Sequence, residues 1–502
     1  MTDTTLETDD SSPFVFDNTF AREMEGFWVQ ARPAHASAPR MVAFNGALAE
    51  ELGLEAEWLD SERGARLFAG AELPAGAEPL AQVYAGHQFG GFSRRLGDGR
   101  ALLLGEVIDR AGARRDIQLK GSGPTTFSRG GDGLAGLGPV LREYLISEGM
   151  HALGVPTTRA LAAVTTGETV YREEPIPGAV LTRVAASHVR VGTFQYFASQ
   201  GDQERVRQLA DYVLARHDPE LPELLGQEGK YLGLLEAVCE RQAYLIARWM
   251  QVGFIHGVMN TDNVTISGET IDYGPCAFLD RYAPDTVFSS IDRNGRYAYG
   301  RQPQMAFWNL SRFAEALLPI LDADADRAVV LATAAVESFV PRYEAHWLNG
   351  MRAKLGLGTE RDGDEQIVGD FLSALHDGQV DFTLAFRSLA QAVLGDRKPL
   401  RSLFACAENI DAWLERWEER LELESVQATA RAKTMQRANP AFIPRNHKVE
   451  EALEAAVERS DLGPFQELLE VIRRPFDEQP GREAYSVPAA LDAEPYQTFC
   501  GT

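Results

Sequence analysis

Residues Ile255 to Pro275 read IHGVMNTDNVTISGETIDYGP. Asn263 and Asp272 are hard oxygen donors of the kind that hold Mg2+ or Mn2+ against phosphate oxygens. Their nine-residue separation leaves room for a strand and a hairpin to bring them together. Asp262, directly before the asparagine, is a carboxylate that takes a proton from an incoming hydroxyl if it lies within hydrogen-bond reach. His256 reads as the residue that orients the loop.

Working outward, the pattern lies over the protein-kinase catalytic loop H-R-D-x-x-x-x-N, which is followed by a strand and D-F-G. His256 and Asn263 take the histidine and asparagine positions, and Asp272, Tyr273 and Gly274 take the triplet. One position departs: the kinase base is replaced by Val258, which accepts no proton, and the aspartate stands at 262 instead. Upstream, LGDGRALLLG (Leu96 to Gly105) is a glycine turn feeding a strand, where backbone N–H groups approach phosphate oxygens unobstructed. Taken alone, such glycines more often serve a positive φ. Lys120 ends the apolar run DIQLK as the kinase lysine ends its strand, and a helix predicted over Pro139 to Leu153 carries Glu143. Arg183 and Arg190, in LTRVAASHVRVG, fit either a bidentate polyphosphate clamp or ordinary pairing with carboxylates. Glycine turn, strand lysine, helix glutamate, asparagine and aspartate stand in kinase order, which makes the joint pattern far more specific than any part.

The rest of the chain is consistent with that order. Strands are expected at 101–108, 116–120, 160–164, 169–172 and 179–184, and a long buried helix over 231–252 leads straight into His256. Helical patterns continue over 305–322, 325–339, 366–395, 408–436, 448–459 and 463–474. The expected class is α+β, a bilobal protein-kinase-like fold. It divides into an N-terminal extension (1–80), a β-rich lobe (81–190), a helical lobe with the catalytic loop and metal motif (191–480) and a tail with Cys500 (481–502). Within the extension, residues 62–80 have the Ala, Gly, Glu and Pro content of a linker or surface loop.

Composition bounds the partners. With 502 residues and 45% hydrophobic content the chain buries a large core. Its 73 acidic against 49 basic residues give a charge of −24, which repels nucleic acid and anionic membranes but tolerates a nucleotide held by local cations and a metal. No apolar run reaches the length of a membrane span. MTDTTLETDDSS at the start resembles neither a secretory signal nor a transit peptide. Four cysteines without disulfide or zinc spacing point to a reducing cytoplasm, with Cys500, third from the end, as a mobile tail thiol.

YAGHQFGGFSRRLGDGRALLLGE (from Tyr84), DIQLKGSGPTTFSRGGDG (from Asp116), PTTRALAAVTTGE (from Pro156), HGVMNTDN and IDYGP together resemble the selenoprotein O family, also called YdiU-type proteins, from about Phe14 onward. The resemblance implies a kinase-like fold and nucleotidylation: AMP passes from ATP to a Ser, Thr or Tyr hydroxyl of a protein, self-modification included, and pyrophosphate leaves. UTP is implied as a further donor. It also implies a nucleotide inverted relative to kinases, which accounts for Val258. By motif position, Gly97, Gly99 and Arg100 contact the nucleotide, and Lys120, Asp132, Gly133, Arg183 and Arg190 surround its phosphates. Glu143 pairs with Lys120, Asp262 is the base, and Asn263 and Asp272 hold Mg2+ or Mn2+. Some members bridge the tail cysteine to one beyond D-Y-G-P, for which Cys276 is the nearest substitute here. The residues themselves leave two other readings open, an inactive nucleotide-binding pseudokinase scaffold and a γ-phosphoryl-transferring kinase.

Overall fold

The computed structural model describes residues 13–490, 494 and 496–499. Its sheet is antiparallel and is built from β1 (Trp28–Gln30), β2 (Arg40–Phe44), β3 (Leu80–Gln82), β4 (Ala101–Ile108), β5 (Arg114–Lys120), β6 (Arg159–Tyr171) and β7 (Pro175–Ala185). The order across the sheet is β1-β3-β4-β5-β7-β6-β2, and the two-residue strand Ala135–Gly136 pairs with β7. Alternation along β4 explains why both faces are covered. Leu102 and Leu104 point into one apolar layer, and Leu103 points into the other.

The first layer draws Leu48, Leu59, Leu67 and Phe68 from residues before position 80, so β1, β2 and this layer tie the N-terminal stretch into the sheet. Residues 62–80, whose composition suggests a linker, instead contain the helix Glu62–Phe68, capped by Ser61, whose hydroxyl accepts from Gly64 N at 3.2 Å. Gly64 is a packing residue: a Cβ there would stand 1.8 Å from the Leu59 carbonyl oxygen. Small residues in this segment mark close approach, which composition does not distinguish from a loop. The two strands expected at 160–164 and 169–172 are one, β6.

The second layer belongs to a core that continues into the helices. It takes in α1 (Leu137–Ala152), α2 (Val191–Ala198), α3 (Leu221–Val252), α4 (Gln302–Leu321) and α5 (Asn446–Glu458). α3 ends at Gly253 in the left-handed region (φ 74°), which a side chain would disfavour. The chain then forms Phe254–Ile255, which pairs with Ala277–Phe278. That short ladder closes the loop carrying Asp262, Asn263 and Asp272. No described helix is long and apolar enough to cross a membrane. The molecule is thus a mixed α/β structure in which one sheet and a helical body share a core.

Candidate active site

The loop is held by its own histidine. His256 Nε2 lies 2.8 Å from the Ile271 carbonyl, Nδ1 accepts from Val258 N at 3.4 Å, and the ring stacks on Trp249 at 5.3 Å. Burial lowers its pKa, so it is a neutral strut between the two halves of the loop, as its sequence position suggests. Asn263 donates from Nδ2 to Val258 O at 3.0 Å, which turns its carbonyl oxygen the other way.

Sequence-distant charges converge on Asp272. Its Oδ1 accepts from Lys120 Nζ at 2.5 Å and Arg183 Nη1 at 2.8 Å, and its Oδ2 accepts from Arg190 Nη1 at 3.2 Å. Burial would push this carboxyl up, but Lys120, Arg183 and Arg190 outweigh it and hold it well below the usual range. Asp272 sits at φ 66°, a conformation aspartate tolerates better than most residues. Glu143 on α1 faces inward and accepts from Lys120 Nζ at 2.6 Å and Arg183 Nη1 at 3.1 Å. Both arginines therefore pair with carboxylates, and they do so inside the cleft.

Asp262 differs from Asp272 in kind. Gln88 Nε2 approaches its Oδ2 at 3.4 Å, whereas its Oδ1 is buried and makes no hydrogen bond. Burial raises its pKa to about 6, against the opposing pull of Arg190. Two neighbouring carboxylates are thus driven apart, one fixed as an anion and one close to proton exchange near neutrality. Gly86 makes room for it: a Cβ there would lie 2.8 Å from Asp262 Oδ1. Gly192 instead admits the Ala85 carbonyl, whose oxygen would stand 2.2 Å from a Cβ at that position.

These groups line a cleft of about 1350 Å³ that also includes Gly97, Gly99, Arg100, Asp132, Gly133, Val258 and Asn263. Gly97 has φ 71°, and a Cβ there would enter the Phe127 ring. A Cβ at Gly133 (φ 66°) would strike the Gly123 carbonyl. Asp132 stands at the rim, bound by both Arg172 guanidinium nitrogens at 2.8 and 3.0 Å, apart from the Lys120 cluster. Sequence reading overlooked Asp98 and Gln118. Gln118, two residues before Lys120 and so on the same face of β5, accepts from Arg183 at 2.6 and 3.1 Å and donates to Asp98 at 3.3 Å. Asp98 lies between the two glycines singled out above. Cys276 is fully buried with its thiol on Tyr273 O at 3.5 Å, and burial pushes its pKa to about 12. Cys500 lies outside the described residues.

Among the described residues no cluster of three or more His, Cys, Asp or Glu is arranged to hold a metal. Asn263 and Asp272 line the same cleft, and a Mg2+ or Mn2+ bound there would share the Asp272 carboxylate with Lys120, Arg183 and Arg190, which already donate to both of its oxygens.

A family model described as protein adenylyltransferase SelO matches residues 12–473. A Cereibacter sphaeroides protein named protein nucleotidyltransferase YdiU is 59% identical over 491 residues, covering 97% of this chain and 100% of its own. Proteins of the same name from Methylorubrum extorquens (57%, 97% and 99% covered) and Rhodopseudomonas palustris (56%, 97% and 99%) are similar over the same span.

Proposed function

The chain belongs to the protein adenylyltransferase SelO family, and from that premise we propose that it transfers AMP from ATP to Ser, Thr or Tyr hydroxyls of proteins, itself included, with UMP transfer from UTP as a variant of the same reaction. Membership of a family of protein nucleotidyltransferases is carried by relatives spanning nearly the full chain. We also read the sheet and the helical body as the two lobes of a kinase-like fold, because glycine turn, Lys120, Glu143, Asn263 and Asp272 meet in one cleft in kinase order.

In the proposed step the acceptor oxygen bonds to the α-phosphorus while the bond from that phosphorus to the α,β-bridging oxygen breaks. Pyrophosphate leaves with the electron pair, and the hydroxyl proton passes to Asp262. Lys120, Arg183 and Arg190 offset triphosphate charge, Glu143 orients Lys120, and Gly97, Gly99, Arg100 and Gly133 shape the cradle. Asp132, fixed by Arg172, orders the glycine loop at its mouth. A cation bound at Asn263 and Asp272 would neutralise phosphate charge and polarise the reacting phosphoryl group.

The observation that carries this reading is the unpartnered, buried Oδ1 of Asp262 on the cleft wall, with a valine where a kinase keeps its base. Parallel incubations with ATP labelled at the α- or the γ-phosphorus test it. Label reaching protein from the α position alone is expected, and label from the γ position would make the protein a phosphotransferase.

A further inference from the structure

The hairpin Gly86–Gln88 and Gly91–Ser93 breaks a local rule beside the catalytic loop. Its turn residues Phe89 and Gly90 have φ 52° and 88°, a turn that asparagine and glycine adopt at least cost. A phenylalanine in that conformation carries backbone strain, and its ring is 40% exposed, so burial does not offset it. The protein nonetheless fixes it: Phe89 N donates to Asn260 Oδ1 at 3.0 Å, and the ring meets Tyr297 edge-on at 5.3 Å. Strain maintained at an exposed aromatic residue points to a use outside the folded chain.

A second ring on the hairpin, Phe92, is 39% exposed and leans on His87 at 4.9 Å, whose own ring abuts Trp308. Positive charge borders this apolar edge. Arg94 and Arg95 follow the strand directly and are exposed, and Arg296 lies 4.7 Å over Trp308, close against Gly90. Among the described residues none of these three arginines has an ion-pair partner. In a chain of charge −24 that is a local inversion of sign.

We propose that this hairpin is the docking edge for the acceptor protein, and that it takes an acidic segment with an apolar side chain close to its hydroxyl residue. The inference rests on the transfer to protein hydroxyls proposed above. Gln88 of the same hairpin reaches Asp262 Oδ2, and Gly86 abuts Oδ1, so a chain that delivers a hydroxyl to Asp262 runs along this edge. Its apolar neighbour covers Phe89 and Phe92, and its carboxylates meet Arg94, Arg95 and Arg296, charges that steer and select more than they bind.

The test uses the full chain, α-labelled ATP and two synthetic single-serine peptides that share a phenylalanine two residues from the serine and differ only in glutamates or lysines around it. The glutamate peptide is expected to be used at least about tenfold more efficiently, and R94E/R95E to abolish or invert that preference, with KM for ATP unchanged. F89N, which suits the turn, should raise the glutamate peptide's KM about tenfold. Equal use of both peptides, a preference that survives R94E/R95E, or an F89N enzyme indistinguishable from wild type would overturn the proposal. So would preferential labelling of a second copy of the chain that charge reversal leaves untouched. Self-labelling with neither peptide labelled overturns the docking edge and leaves nucleotidyl transfer standing, whereas absence of α-label on any protein overturns the reading beneath it.

Discussion

Lys120 and Asp272, 152 residues apart in the chain, meet with Nζ 2.5 Å from Oδ1. Glu143 accepts from the same ammonium, and Arg183 joins both carboxylates. The side chains of Arg183, Arg190 and Glu143 are 2%, 3% and 6% exposed, against 15% for Lys120 and 24% for Asp272, so the cluster is largely buried and opens to the cleft at Lys120 and Asp272. Breaking a buried pair from one side costs far more than the pair is worth, because the other charge is left uncompensated.

Asp272→Ala should therefore lower stability as well as activity. Chemical denaturation is expected to show a loss of about 3 kcal/mol, and nucleotidyl transfer should fall below detection. A variant of wild-type stability, or one with full activity, would contradict the arrangement.

Asp262 predicts the opposite sign for stability. Its folded pKa of about 6 lies above the ordinary carboxyl value near 4. Between those values the folded state keeps a proton that the unfolded chain has lost, so stability present at low pH is lost as pH rises from about 4 through about 6, to a cost of about 3 kcal/mol. Asp262→Asn should thus stabilise the protein by about 1–3 kcal/mol at pH 8 and by almost nothing near pH 4, while lowering transfer at least about 100-fold. Urea unfolding at the two pH values and a transfer assay read both effects.

For the wild type, kcat/KM should climb as pH passes about 6 and level off above about 7, since the base must be ionised. A profile that falls over that interval would assign the proton transfer elsewhere.

Gly86→Ala separates positioning from binding. The new Cβ would press on Asp262 Oδ1 from 2.8 Å and displace it by a fraction of an ångström. Transfer should drop about 10- to 100-fold with ATP affinity unchanged, measured by calorimetry beside turnover.

How much of this was legible beforehand follows from the range of the interactions. Lys120, Glu143, Asn263 and Asp272 stand out because the strand, helix and loop that carry them leave local patterns, and only their order needs matching. The inward direction of Glu143 is decided by α1 packing on the sheet, which its helix alone does not fix. Gly86 and Gln88 escaped notice because their role depends on contacts with residues more than 170 positions away. The motif places Asp132 around the phosphates, but its pairing with Arg172, 40 positions on, leaves no local pattern in the sequence. Residues 62–80 misled because Gly64 and Ala65 serve close packing of a helix.

A crystal structure of the protein with Mg2+ and α,β-methylene ATP, which resists cleavage at the proposed bond, tests the central claim most directly. The account predicts the α-phosphorus facing Asp262, with the Asn263 and Asp272 oxygens on the cation and Lys120 within reach of the phosphates. A γ-phosphate facing Asp262, or a cation bound away from Asn263 and Asp272, would contradict it.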